Sequence, residues 1–277
     1  MEKNLQTVLI EAKKDHFAVP AFNIVDYTSA AAVISAGEDE KTPIIMQTST
    51  GTVKWYGAKH LAGMVAELKN SAKVPVFLHL DHCTEMDLAK ECVDSGWDSI
   101  MFDGSKFPYE ENVAKTREIV DYAHKKGLTV EGELGTIVGV EEEIQVDKAK
   151  LPSIDECIDF VEATGVDIFA PAIGTAHGLY SGEPKIDFDL VKEVSEKIKQ
   201  PFVVHGGTGL DESTFKELVQ LGASKINIST ALKYAYYEGL DDYTKENGDK
   251  IAPVETEKAK YNAIKKMALY HIETFRV

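Results

Sequence analysis

Short apolar segments alternate with amphipathic segments along the whole chain. The apolar segments are rich in β-branched and aromatic residues and are bounded by Gly, Pro or polar residues, which is typical of buried strands. We predict eight strands, at 18–24, 43–49, 74–80, 99–103, 128–134, 167–173, 201–205 and 225–230. Single strands that alternate with helices predict a parallel sheet with helical crossovers.

The segments between these strands carry helix signals. Apolar residues recur with a helical period over 109–126, and 153–165 opens with Ser-Ile-Asp-Glu, the pattern of a capping box. Gly127, Gly165 and Gly222 stand where helices are expected to end. Strand and helix signals therefore agree on a regular alternation.

Eight strands alternating with eight helices, without repeats or a linker, predict an α/β fold: one (β/α)8 TIM barrel over 1–277. The alternative is a doubly wound open sheet. It would normally carry GxGxxG after the first strand, where this chain has FNIVDYTS. Residues 231–277 are long for one barrel helix, so we expect a C-terminal helical extension, with a turn at 241–253 and a further helix after it.

Composition narrows the choice of partners and compartment. The 277 residues include 46 Asp and Glu but only 30 Lys and Arg, which gives a net charge of −16. This negative charge argues against nucleic acid or an anionic membrane as a partner. We find no apolar signal core and no 18-residue apolar run. Three cysteines without a CxxC pair fit a reducing cytoplasm, where we expect the protein to work.

Polar residues gather at one end of the predicted strands. Barrel active sites lie at the carboxyl ends of the strands. The residues at those ends are Asn23, Gln47, Ser49, Asp81, His82, Asp103, Glu131, Glu133, His177, His205, Asn227, Ser229 and Thr230. We expect these side chains to share one rim of the barrel.

Three histidines on this rim, His82, His177 and His205, offer the ligand set of a catalytic Zn²⁺ with an open position. The alternative is three unrelated polar residues. His79 shares strand parity with Asp81, so we expect its side chain to lie next to the ligand residues without binding the metal itself.

Glycine-rich segments follow the sixth and seventh strands, at 174–178 and 205–209. Backbone amides in such loops, with a helix N-terminus behind them, can hold a phosphate without a cationic side chain. The alternative is a pair of tight turns.

Two carboxylates are candidates for proton transfer. Asp81 can serve as a general acid/base or merely orient His82. Glu141 lies in a loop predicted at 135–152. It can act as a second acid/base on a mobile lid, or it can belong to a solvated run of charged residues. A Schiff-base mechanism needs a lysine buried in the barrel, and we place Lys225 at the opposite end, so metal catalysis is favoured.

In order along the chain, seven motifs resemble class II, zinc-dependent ketose-bisphosphate aldolases, the family of fructose- and tagatose-bisphosphate aldolases. The motifs are AFNI at 21–24, HLDHC at 79–83, FDGS at 102–105, VEGELG at 130–135, GTAHGLYSGEPK at 174–185, VHGGTGL at 204–210 and KINIST at 225–230.

The resemblance implies reversible aldol cleavage of a phosphorylated ketose to dihydroxyacetone phosphate and an aldehyde. It implies Zn²⁺ on His82, His177 and His205, a second metal location at Asp103 and Glu133, and proton transfer by Asp81 and Glu141. It also implies a monovalent cation, Na⁺ or K⁺, and a homodimer or homotetramer. The expected substrate contacts are Asn23, Ser49, Gly178, Gly206, Gly207, Thr208, Asn227, Ile228, Ser229 and Thr230.

Three positions depart from the family pattern: Ser181 stands where lysine is common, Cys83 where glycine is frequent, and Thr208 where serine is frequent. Ser181 removes one expected phosphate contact, for which Lys185 or a bound cation can substitute. A deoxy-gluconate or sulfosugar phosphate therefore stays open as a substrate. Two alternatives belong to other functional classes: a zinc hydrolase and a non-catalytic sugar-phosphate-binding barrel.

Overall fold

The computed structural model describes residues 4–141, 144–146, 150–178, 184–248 and 252–277, with the backbone alone described at 140–141 and 144–146. The strands are β1 Val19–Asn23, β2 Ile44–Thr48, β3 Val76–Cys83, β4 Ser99–Phe102, β5 Thr129–Leu134, β6 Val138–Glu141, β7 Ile144–Val146, β8 Ile168–Pro171, β9 Ala176–His177, β10 Phe202–Val204 and β11 Ala223–Ile228. The helices are α1 Leu5–Lys14, α2 Tyr27–Glu40, α3 Thr50–Tyr56, α4 Ala58–Ser71, α5 Met86–Asp94, α6 Tyr109–His124, α7 Ile154–Thr164, α8 Phe188–Lys197, α9 Glu212–Gln220, α10 Thr230–Asn247 and α11 Pro253–Thr274.

Eight parallel strands close into a barrel in the order β1-β11-β10-β8-β5-β4-β3-β2. This closure confirms the predicted TIM barrel over the open sheet. All eight predicted strands are present, and the capping box at Ser153 and Glu156 forms as predicted. Gly165 ends α7 in the left-handed conformation, with φ of 72°.

Two predictions about connecting segments were wrong. The predicted turn at 241–253 is helical over much of its length, because α10 continues to Asn247 before α11 begins at Pro253. Gly239 lets the two helices pack closely, since a Cβ there would lie 2.6 Å from Lys260 Cα. The predicted loop at 135–152 contains β6 and β7, which form a small sheet with β9.

The interior of the barrel is apolar at its amino end and polar at its carboxyl end. Helix α1 closes the amino end, where Leu5, Leu9 and Ala12 pack against inward residues of the strands such as Phe77 and Val203. A separate apolar layer lies between the strands and the surrounding helices. Many of the buried polar side chains lie towards the carboxyl end. In the parts of the chain that are described, no helix is long and apolar enough to cross a membrane.

Candidate active site

Most of the polar residues predicted for the rim are buried together at the carboxyl ends of the barrel strands. Those buried are Asn23, Gln47, Asp81, His82, Asp103, Glu131, Glu133, His205 and Asn227. Polar groups at this depth need partners or a ligand, because an unpaired buried polar group is costly.

An irregularity in β3 brings two consecutive side chains into the barrel. Successive strand residues normally point to opposite faces, so Asp81 and His82 should diverge. The register between β3 and β4 shifts between Leu80 and Cys83, and His82 has a φ of 46°, in the left-handed region. A bulge of this kind re-aims a side chain, and strain at a non-glycine residue is typical of functional sites.

Two of the three histidines are oriented by carboxylates. His82 Nδ1 lies 2.9 Å from Asp103 Oδ2, and His205 Nε2 lies 2.8 Å from Glu131 Oε1. If each of these nitrogens donates its N–H, His82 Nε2 and His205 Nδ1 face each other as lone pairs, 2.7 Å apart. Such a pair needs a shared cation, either a proton or a metal ion. Carboxylates behind the ligand histidines are typical of metal sites.

His177 reaches the same place from β9, outside the barrel. Its ring centroid lies 4.9 Å from that of His82 and 6.3 Å from that of His205. Two glycines allow this approach. A Cβ on Gly139 would lie 2.2 Å from His177 O, and one on Gly206 would lie 2.4 Å from Ala176 O.

The donor set fits a divalent metal ion. Nitrogens of His82, His177 and His205 lie within 4.8 Å of one another, and a second set joins His82 to Asp103 and Glu133. Glu133 Oε2 is buried, has no hydrogen-bond partner and lies 3.6 Å from His205 Nδ1. A buried carboxyl oxygen of this kind, beside two imidazoles, is suited to be a ligand of a metal ion.

Burial and charge shift the proton affinities of this cluster. Burial and the charge of Asp103 raise the pKa of Glu133 well above its usual range. Burial opposes ionisation of Asp103 too, but hydrogen bonds from His82 and Ser105 outweigh it and lower the pKa of that carboxyl. Burial, followed by the charge of His82, lowers the pKa of His205, which favours the neutral imidazole that metals bind.

Amide groups surround Asp81. Asn23 Nδ2 and Gln47 Nε2 donate to Asp81 Oδ2 at 2.8 and 3.1 Å, and Asn227 Nδ2 donates to Asp81 Oδ1 at 3.1 Å. The carboxylate that lies on His82 Nδ1 is that of Asp103. Three amide groups therefore hold the carboxyl group of Asp81.

Lys225 lies near the start of the last barrel strand, as predicted, where its backbone pairs with Val19 at the start of β1, but the burial of its side chain was not predicted. It lies within β11, fully buried inside the barrel, with Nζ 2.9 Å from Glu131 Oε2 and 2.8 Å from Asn227 Oδ1. The parity it shares with Asn227 would have indicated this position. An ammonium group paired with a carboxylate is not free to attack a carbonyl, so its burial does not favour a Schiff-base mechanism. His79 is also buried beside Glu131, with Nε2 3.6 Å from Glu131 Oε2, as its parity predicted.

The glycine-rich segment after β10 lies against the start of α10. Gly207 lies close to Asn227 O at the end of β11, and Thr208 Oγ1 accepts a hydrogen bond from Ala231 N at 3.2 Å. Ser229 precedes α10, and its side chain makes no capping hydrogen bond. The N-terminus of α10, which no side chain caps, is therefore suited to an anion.

The remaining predicted site residues lie at the ends of strands and helices or outside the described residues. Ile228 ends β11, Thr230 begins α10, and Gly178 follows β9 with a φ of 85°. Ser49 caps α3 at the end of β2. The side chain of Glu141 and the whole of Ser181 lie outside the described residues.

Comparisons with known proteins agree on one family. The family model described as class II fructose-bisphosphate aldolase matches residues 3–277. A fructose-bisphosphate aldolase of Staphylococcus aureus is 36% identical over 252 residues, which cover 89% of this chain and 87% of that protein. The crystal structure of the YdjI aldolase from Escherichia coli K12 aligns with a TM-score of 0.88 at 33% identity, covering 99% of this chain and 97% of that one. A solved structure from Coccidioides immitis aligns with a TM-score of 0.91 at 27% identity, covering 98% and 96%.

Proposed function

Because the chain belongs to the class II fructose-bisphosphate aldolase family, and is therefore a metal-dependent lyase, we propose that it cleaves fructose 1,6- or tagatose 1,6-bisphosphate reversibly. The products are dihydroxyacetone phosphate and a phosphorylated aldehyde. The proposal assigns one catalytic domain to the whole chain, 1–277. The observation that carries it is the convergence of His82, His177 and His205 at the polar end of the barrel.

The metal in this proposal is Zn²⁺. Zinc prefers a donor set of three imidazoles, and such a set leaves one coordination position open for substrate. Two of the imidazoles here are hydrogen-bonded to carboxylates. Bound there, zinc would act as a Lewis acid that stabilises the negative charge left on the ketone fragment when the carbon–carbon bond breaks. Asp103 and Glu133, with His82, supply the second metal location.

Proton transfer is assigned to two carboxyl groups. Asp81 protonates the oxygen of the departing aldehyde, and the amides of Asn23, Gln47 and Asn227 hold its carboxyl group in place for that step. Glu141 moves the proton on the carbon of dihydroxyacetone phosphate; it is the last residue of β6, the strand that pairs with β9 and so with His177.

The phosphate of dihydroxyacetone phosphate is assigned to the cradle between the loop after β10 and the start of α10. Its contacts are the backbone at Gly178, Gly206, Gly207 and 227–230 and the side chains of Thr208, Ser229 and Thr230. Backbone amides and a helix N-terminus bind phosphate without arginine, and a monovalent cation, Na⁺ or K⁺, is proposed beside it. Asn23 and Ser49 are assigned to the rest of the sugar.

The alternative substrate is another ketose phosphate, a deoxy-gluconate or sulfosugar phosphate, because Ser181 stands where the family commonly has lysine. Membership of an aldolase family disfavours a zinc hydrolase and a non-catalytic barrel. A homodimer or homotetramer in the cytoplasm completes the proposal.

The first test is turnover of both bisphosphates, followed through the release of dihydroxyacetone phosphate with and without a chelator. We expect turnover of at least one bisphosphate, loss of activity with chelator and recovery with Zn²⁺. Turnover that resists the chelator would contradict the metal assignment. Turnover of neither bisphosphate would direct the search to the other ketose phosphates.

The ligand assignment has its own test, which does not depend on finding the substrate. His205→Ala should abolish zinc binding, measured as metal content after dialysis. His60→Ala, which changes an exposed histidine on α4, is the matched control and should keep its zinc. Equal zinc content in the two variants would contradict the assignment.

A further inference from the structure

Two oppositely charged residues lie fully buried beneath the histidines. Lys225 and Glu131 are both inaccessible to solvent, and Lys225 Nζ lies 2.9 Å from Glu131 Oε2. The same ammonium group donates to Asn227 Oδ1 at 2.8 Å. The roles described above use Glu131 to orient His205 and assign no role to Lys225.

We infer that Lys225 is a positioning residue that orients the metal ligand His205 through Glu131 and the acid/base Asp81 through Asn227. The inference rests on the proposed zinc site and adds to it a single buried cation that serves both halves of the active site.

The first branch sets which nitrogen of His205 faces the metal. Lys225 engages Glu131 Oε2, which leaves Glu131 Oε1 to accept from His205 Nε2 at 2.8 Å. With its hydrogen on Nε2, His205 presents the lone pair of Nδ1 towards His82. The ammonium group thereby fixes the orientation of the carboxylate that selects the tautomer.

The second branch sets which end of the Asn227 amide faces Asp81. Lys225 can only donate, so the oxygen of Asn227 must face it and the NH₂ group must face Asp81 Oδ1, at 3.1 Å. The flipped amide would place its oxygen against the carboxylate and its NH₂ against the ammonium group. Both contacts would be repulsive.

Net stability does not account for this pair. A buried ion pair is often no more stabilising than apolar residues of the same volume, because desolvation of both charges offsets their attraction. What an apolar pair could not supply are the two directed contacts, one to His205 and one to Asn227.

The experiment compares zinc affinities of the full-length protein, measured by competition with a chromogenic chelator. Glu131→Gln should weaken zinc binding by about 10- to 100-fold. Lys225 then takes the one amide oxygen, and the amide NH₂ turns to His205 Nε2, which forces the hydrogen onto Nδ1.

Adding Lys225→Met to Glu131→Gln should restore part of the affinity, at least about fivefold, because the amide oxygen becomes available to His205. This double variant carries neither buried charge, so it remains informative if Lys225→Met alone fails to fold. Lys69→Met is the matched control. It breaks another lysine–carboxylate pair, with Asp98 at the amino end of the barrel, and should leave zinc affinity within about twofold.

The two branches separate in the kinetics at saturating zinc. The double variant should keep a kcat at least about tenfold below that of the unsubstituted protein, with KM changed less than about threefold, because Asn227 still lacks its donor. Zinc affinity no better in the double variant than in Glu131→Gln would overturn the branch through Glu131. An unchanged kcat would overturn the branch through Asn227. Failure of the unsubstituted protein to bind zinc would instead overturn the proposed metal site.

Discussion

At the scale of single residues, Gly206 determines how closely the loop after β10 approaches β9. Its φ is 68°, and a Cβ would lie 2.4 Å from Ala176 O, an atom of the backbone beside His177. A side chain here would meet both backbone strain and a rigid neighbour.

We therefore expect Gly206→Ala to lower the free energy of unfolding by about 1–3 kcal/mol and to weaken zinc binding, because β9 must shift. Urea unfolding and metal titration measure the two effects. Gly63→Ala, in α4 with open space around its Cβ, is the control and should stabilise by about 0.5–1 kcal/mol. Equal stabilities for the two variants would show that the contact with Ala176 is not restrictive.

Residue types and strand ends predicted the composition of the site, but simple alternation could not orient every side chain. Asp81 follows the parity of His79, whereas His82 points inward only because the strand is irregular there. The contacts of Lys225 were missed for a different reason. Its parity with Asn227 indicates the face of the strand on which it lies, but its ion pair joins it to Glu131, 94 residues away, and no local pattern shows such a contact.

At the scale of elements, α11 is anchored by a histidine in an aromatic pocket. The ring of His271 lies 6.5 Å from that of Phe22, 6.2 Å from Phe215 and 5.8 Å from Phe275, measured between centroids. His271 Nδ1 lies 2.9 Å from Met267 O, one turn earlier. Burial lowers the pKa of His271, against the smaller opposing effect of that hydrogen bond.

The sign of the pH dependence follows from this lowered pKa. As the pH falls below about 6.5, the unfolded chain protonates this histidine before the folded protein does, so the free energy of unfolding falls. The contribution amounts to at most about 1.4 kcal/mol per pH unit.

We expect His271→Asn, which keeps a donor near Met267 O, to lose less stability than the unsubstituted protein between pH 8 and pH 5. Urea unfolding at the two pH values measures this difference. The contributions of the other buried histidines to the pH dependence cancel, because both proteins contain them. Parallel stability curves would contradict the prediction.

Elements were predicted best where a local signal coincided with burial. Each barrel strand is an apolar run that lies between the interior and the helices, so periodicity and packing gave the same answer. Helix α10 shows the opposite case. Its second half is a polar stretch that resembles a turn. The stretch is helical because it packs against α11, and a local sequence pattern cannot reveal that contact.

At the scale of the whole molecule, stability and chemistry belong to opposite ends of the barrel. The apolar contacts of α1 fill the amino end, and the polar residues occupy the carboxyl end. This separation is usual in (β/α)8 enzymes.

The separation predicts that a cavity in the amino end lowers stability without affecting metal binding. Leu9→Ala, at a fully buried position of α1, should lower the free energy of unfolding by about 2–5 kcal/mol and leave zinc affinity unchanged in the folded protein. Ile10→Ala changes the neighbouring residue, which is half exposed, and should alter stability by less than about 0.5 kcal/mol. A loss of zinc affinity in Leu9→Ala would show that the two ends are coupled.

The pairing of β1 with β11 has a consequence for the order of events during synthesis. The strand made first in the barrel finds its second neighbour only when the strand made last has left the ribosome, and until then β1 has one open edge. Asn227 and Lys225 arrive on that last strand, so Asp81 and Glu131 wait for their partners until the ring closes. Assembly of the proposed catalytic groups thus coincides with completion of the fold, and we expect an incomplete chain to carry no working site.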